Sequence, residues 1–395
     1  MKGKTLKKKR FPYVIDVWQR CKIPRTALPH DRLLLACATE ATFNDAIKNR
    51  ILRETPVVSS IEFVTGSFLP NRKDFEGISK SYTHYAWGNY FLYEEFTKEK
   101  YANLTIIKQS DFTHKFSYYP GFPRYYRSIL IEKLAQKKYL NSLVKYTWTG
   151  IPAPATRGYS ELVHAGFGDN ELRFKFKHFD NQRVIYNESS EPDNGFTQRL
   201  NHSVLPVSII KAAPFVITAE SDLACDFLTE KTYRSLANGV IPLIISKYNH
   251  YTYLQKLGYR FPKVVTDFKS QIYTDDLNQQ SVKDCASKMI EFCETILDVW
   301  SKDLINECIE CGIHNQQRCA ESIMGGVGMP NSNTVQLYYS QRINWARYYA
   351  SFYLDKNNIK YDKPKLLDYN HKFNFNKSPT YFITDTIPHL GHRPS

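Results

Sequence analysis

The stretch APFVITAESDLACDFLTEKTYRSLANGVIPLIIS, residues 213–246, decides the fold. FVITAE is apolar and β-branched up to a terminal carboxylate and reads as a buried strand. A polar loop follows, then TEKTYRSLAN, in which Tyr233, Leu236 and Ala237 recur at helical spacing on one face. Gly239 stands where a left-handed helix cap belongs. VIPLII is then a second buried strand, with Pro242 an objection to a central place in a sheet. Strand, helix and strand in that order make the repeating unit of a parallel α/β sheet.

The charges in this stretch carry the functional reading. Ligands of open parallel sheets bind beyond the carboxyl ends of the strands, where loops enter helices. Glu220 ends the first strand, and Thr229, Glu230 and Lys231 open the helix. A carboxylate there accepts hydrogen bonds from a ribose diol, a lysine neutralises a diphosphate, and the helix start adds backbone donors. The plainer alternative makes Glu230 and Arg234 an exposed i,i+4 pair, with Thr229 or Asp226 an ordinary N-cap. A second cluster, PGFPRYYRS, puts Arg124 and Arg127 at a helix start, against the helix dipole. A bound anion would remove that conflict; solvated surface arginines are the alternative.

Working outward, residues 1–30 read as a basic tail, MKGKTLKKKR, followed by a first strand, YVIDVW. Residues 31–110 form an α/β unit with strands RLLLACA, SIEFVTGSF and LTIIKQS and helices TFNDAIKNRILRE and YAWGNYFLYEEFTKE. A second unit spans 111–328 and opens with strand HKFSYY, turn PGFP, helix RYYRSILIEKLAQKKY and strand LVKYTWT. Residues 150–205 are polar and irregular, and VKDCASKMIEFCETILDVW is a long amphipathic helix. From 329 a last helix, VQLYYSQRINWARYYASFYL, is expected to pack back on the first unit.

A chain of 395 residues suits two or three domains, and its net charge of +14 favours anionic partners, including acidic surfaces met by the basic N-terminus. No apolar run approaches a membrane span, and no apolar core follows the basic start as in a secretory signal. Eight cysteines are too few for a disulfide scaffold, so a cytoplasmic, intracellular setting is expected. Cys308, Cys311, His314 and Cys319 have half the pattern of a zinc site, but they continue a helical repeat and read better as its buried face.

AESDLACDFLTEKTYRSLANGVIPLIIS, followed by YLQKLGYRFPKVVTDF, resembles the donor-site segment of the α-1,3-fucosyltransferases and of viral and bacterial glycosyltransferases that share it. The resemblance spans about 110–300, is densest over 215–268, and extends to SYYPGFPRYYRSILIEKL. It implies a GT-B fold, two facing Rossmann-like domains with parallel sheets, and transfer of a sugar such as fucose from GDP-fucose to a glycan or glycoprotein hydroxyl. It further implies that Glu230 holds the ribose, Lys231 the phosphates, Arg127 or Arg124 the distal phosphate, and that Glu220 lies near the sugar. Thr229 and Arg234 fall in the same segment. Ser221 stands where the family often has Asn, and Phe227 where it often has Tyr, which leaves sugar and base open.

Such enzymes are usually metal-independent and have no cofactor beyond the donor. An inverting reaction needs a carboxylate base, for which Glu94, Glu95, Asp45 and Asp111 are candidates in the first unit. Two rival readings are a nucleic-acid-binding protein with a basic, aromatic surface and an inactive glycan-binding relative.

Overall fold

The computed structural model describes residues 13–16, 32–37, 60–66, 82–97, 101, 104–120, 125–144, 207–220, 228–245, 250–268 and 279–364. Helix TFNDAIKNRILRE, the polar stretch 150–205 and the candidates Asp45, Arg124, Ser221, Asp226 and Phe227 lie outside them.

Strands β1 (Tyr13–Asp16), β2 (Arg32–Cys37), β3 (Ser60–Thr65) and β4 (Tyr82–Ala86) form one sheet in that order, every neighbouring pair parallel. Strands β5 (Phe116–Tyr118), β6 (Ser142–Val144), β7 (Phe215–Ala219) and β8 (Ile241–Ile245) form a second parallel sheet, ordered β6-β5-β7-β8. The protein is thus mixed α/β with parallel sheets. In the second sheet the chain moves outward from β5 to β6, then returns to the other side of β5 for β7 and β8. The strand order reverses between β5 and β7, and a crevice opens beyond the carboxyl ends at such a reversal.

The first unit departs from its reading in two places. YAWGN begins in β4, and only Tyr90–Glu95 (α1) is helical. LTIIKQS is not a strand. Its backbone is paired by one side chain: Gln316 accepts from Ile107 N at 3.1 Å and donates to Thr105 O at 3.0 Å, after which Gln109–Asp111 close a single 3-10 turn. A side-chain amide here takes the part that a neighbouring strand would have taken.

The other helices are α2 (Tyr125–Gln136), α3 (Val207–Ile210), α4 (Glu230–Ala237), α5 (His250–Lys256), α6 (Lys263–Asp267), α7 (Gln279–Asp298), α8 (Lys302–Gly325), α9 (Asn333–Tyr338) and α10 (Ser340–Lys356). α8 is the spine. Ser301 caps its start by accepting from Leu304 N at 3.2 Å, and Gly326 ends it at φ +67°. Cys308, Cys311 and Cys319 are free thiols on its buried face, and a ring nitrogen of His314 pairs with Gly258 O at 2.8 Å. Among the described residues no three His, Cys, Asp or Glu side chains converge as metal ligands. Burial pushes the Cys311 thiol up to about 11.

Pro242 lies on β8, an edge strand, where its missing N–H costs nothing if it points outward. The outward groups are taken by α5: the Tyr251 hydroxyl accepts from Ile244 N at 2.9 Å and donates to Pro242 O at 3.0 Å. Gly239 adopts φ +76°, and Gly239 N and Val240 N donate back to Leu236 O and Ser235 O, each at 3.1 Å. This is the Schellman ending that the sequence announces.

The C-terminal helices join both units. Ile343, Ala346, Ala350 and Leu354 of α10 are buried. Ser332, the cap of α9, donates to Glu62 of β3 at 2.7 Å, and Asn89, at the start of α1, donates to Val327 O at 2.7 Å. Among the described residues no helix is long and apolar enough to cross a membrane.

Candidate functional site

At the β5/β7 reversal lies a small hollow, part of it open to solvent. Tyr118 and Tyr119 wall it at the end of β5, Thr218 at the end of β7, and Lys231, Arg234 and Ser235 along α4. The three α4 positions are spaced i, i+3 and i+4, so they share one face of the helix. Ser235 Oγ donates to Lys231 O at 3.1 Å, and Tyr119 donates its hydroxyl to Ile209 O.

Glu220 is fully buried, and its carboxylate is engaged by α4 itself. Oε2 accepts from Thr229 N at 3.2 Å and from the Thr229 hydroxyl, and Oε1 accepts from the Thr232 hydroxyl at 2.6 Å. Burial raises its pKa, with the nearby Lys231 charge and the threonine bonds working against that. The anion that a helix start attracts is therefore already present as a protein side chain. Thr229 is the N-cap, its Oγ1 accepting from Lys231 N at 3.4 Å.

Lys231, which lines the hollow, forms an ion pair with Glu230, Nζ to Oε1 2.7 Å. Lys231 Nζ also reaches Thr229 Oγ1 at 3.1 Å. Both side chains keep some solvent exposure, so a ligand can part the pair.

Arg127, in the first turn of α2, is 2% exposed. Its Nη2 donates to Ala219 O at 3.1 Å and Glu220 O at 3.3 Å, across the reversal at the end of β7. The unfavourable cation at a helix start is thus compensated by strand-end carbonyls, which need no bound anion. Lys231 and Arg127 converge on the same strand end, Lys231 facing the hollow and Arg127 buried behind it.

Arg234 is not half of an exposed pair with Glu230. It is 7% exposed, and its Nε donates to Glu95 Oε1 of α1 at 3.3 Å. The same oxygen accepts from the Tyr101 hydroxyl at 2.7 Å, and Asn238 Nδ2 donates to Tyr101 at 3.1 Å. Burial works against the Arg234 charge, but Glu95, Glu230 and Tyr101 together outweigh it and the guanidinium pKa rises. Beside this pair Tyr233 donates its hydroxyl to Gly88 O at 2.9 Å, which docks α4 on the start of α1.

Of the remaining carboxylates, Glu94 keeps 35% side-chain exposure and lies 4.0 Å from Arg342 Nη1. Asp111 accepts from Lys108 N at 2.9 Å within its own turn. The structure brings together Glu220, Thr229, Glu230, Lys231, Arg234, Arg127 and Glu95 around the ends of β7 and α4. Tyr118, Tyr119, Thr218 and Ser235 belong there too, and sequence reasoning passed over them. The signal was present, because HKFSYY ends with its tyrosines at a strand's carboxyl end and Ser235 lies one turn after Lys231.

No protein-family model matches the chain, and no curated protein matches it in sequence.

Proposed function

We propose that this protein is a glycosyltransferase of the GT-B type that takes a nucleotide-diphosphate sugar at the β5/β7 crevice. The observation that carries the reading is the hollow at the strand-order reversal, lined by a lysine that is paired with a partly exposed carboxylate. A donor of this class brings a diol and a diphosphate together. Glu230 then turns to the ribose hydroxyls and Lys231 to the phosphates, so the resting ion pair is exchanged for two ligand contacts. Tyr119, half-buried at the end of β5, offers ring surface to a base or sugar.

In the transfer step an acceptor hydroxyl attacks the anomeric carbon as its proton passes to a carboxylate. The bond from that carbon to the diphosphate oxygen breaks, and the nucleoside diphosphate leaves with the electron pair. Lys231 stabilises the charge that develops on it. Of Glu94, Glu95 and Glu220, only Glu94 is not fully buried, its side chain keeping 35% exposure, so it is the residue to test as the base.

The test is a thermal-shift panel with GDP and UDP on wild type and Lys231→Ala, followed by a donor-hydrolysis assay beginning with GDP-fucose. A diphosphate at about one hundred times its Kd adds roughly 2.7 kcal/mol of stability to wild type. That stabilisation is expected to vanish in Lys231→Ala. Glu94→Gln is expected to keep the thermal shift and lose transfer by about a hundredfold or more. If neither diphosphate stabilises the wild type, the reading fails.

A further inference from the structure

We propose that Arg234, held by Glu95 of the first unit, is the arginine that meets the ligand's terminal phosphate, so that the site is completed by both units. The inference rests on the nucleotide-diphosphate reading and goes beyond it in naming the cation and the residue that aims it.

Three observations carry it. Arg127 has its Nη2 engaged by two backbone carbonyls behind the end of β7 and does not line the hollow. At the start of α4 the Glu220 carboxylate accepts from Thr229 N and the Thr229 hydroxyl oxygen accepts from Lys231 N, so those two amides are committed before any ligand arrives. Arg234 does line the hollow, one turn along α4 from Lys231. The hydrogen bond that fixes its side chain is through Nε to Glu95, which leaves the Nη fork outside that contact in a residue that lines the hollow.

A guanidinium gripped at Nε presents its Nη fork in a fixed direction, and that fork matches two phosphate oxygens. The grip is itself fixed. Glu95 Oε1 is shared with Tyr101, Tyr101 stacks on Phe96 with ring centres 4.6 Å apart, and Asn238 at the end of α4 holds the Tyr101 hydroxyl. Glu95 is a positioning residue: it is buried and acts on the ligand through Arg234.

The experiment uses the full chain and measures Kd for GDP, UDP and the matching free nucleosides in wild type, Arg234→Lys and Glu95→Gln, with folding checked by denaturant titration. Arg234→Lys keeps the charge and loses the fork; Glu95→Gln keeps the shape and loosens the grip. Both are expected to weaken diphosphate binding on the order of tenfold while nucleoside binding stays as in wild type. A loss equal for diphosphate and nucleoside, in whichever variant folds, would reduce the pair to scaffolding and overturn the inference. So would unchanged diphosphate binding in either variant while Lys231→Ala still abolishes it, and the diphosphate reading itself would then survive. A wild type that binds no diphosphate overturns both.

Discussion

Gly312 has no room for a methyl group. A Cβ built there would lie 2.1 Å from Gly239 O, a backbone atom that cannot swing aside. Two glycines thus meet where α8 crosses the end of α4, one needed for its positive φ and the other for its lack of a side chain. Gly312→Ala is expected to lower unfolding free energy by about 2–3 kcal/mol in denaturant titration. Gly325→Ala is the control, because its nearest new neighbour is a Val327 methyl at 3.8 Å, and its effect should stay within about 1 kcal/mol. Gly239 was legible in the sequence because a left-handed cap is a local device. Gly312 was not, since its reason is a backbone oxygen far away in the chain. Lys231 and Glu230 were legible for the same local reason as Gly239: they stand beside a helix start. Arg127 was legible as a misplaced cation, but what compensates it is a strand two crossovers away.

At the level of elements, periodicity identified β7, α4 and β8 well and the first unit less well. Runs such as LTIIKQS carry strand composition, yet the partner that decides is Gln316 on α8, which no local pattern announces. Arg234 shows the same limit: i,i+4 spacing with Glu230 offered a surface pair, and tertiary packing gave it Glu95 instead. α5 carries a pH-dependent element in His250, the first residue of that helix, which is 1% exposed. Burial lowers its pKa from 6.5 to about 3. The unfolded chain binds a proton below 6.5 that the folded chain refuses, so stability falls as pH drops from 6.5 towards 3. At pH 5 this costs about 2 kcal/mol. His250→Phe is expected to flatten that part of the stability–pH curve when both proteins are unfolded by urea across pH 4–7.

For the whole molecule, some of the contacts that join the parts around the two sheets are costly to break. Glu95–Arg234 is a buried ion pair between α1 and α4, and Tyr233 adds its bond to Gly88. Arg234→Met strands a buried carboxylate and is expected to cost about 3–5 kcal/mol. Glu95→Leu with Arg234→Met removes both charges, and the double variant should be more stable than the single losses summed. Calorimetry is expected to give one transition for wild type and a broadened or divided one for Arg234→Met. The two parallel sheets were legible, because each stretch has its own strand–helix alternation. The contact between α1 and α4 was not, because it runs through one arginine whose partner lies far away in the sequence.

The Tyr251 hydroxyl on β8 has a consequence beyond the fold of one chain. A bare strand margin with unpaired amides recruits other chains and starts fibres. One phenol meets two outward backbone groups, Pro242 O and Ile244 N, and proline offers no N–H of its own, which makes that margin a poorer template for polymerisation. Tyr251→Phe would leave both groups unanswered at little cost in shape. Faster growth of thioflavin fluorescence on prolonged incubation is the expected outcome, with wild type remaining dark.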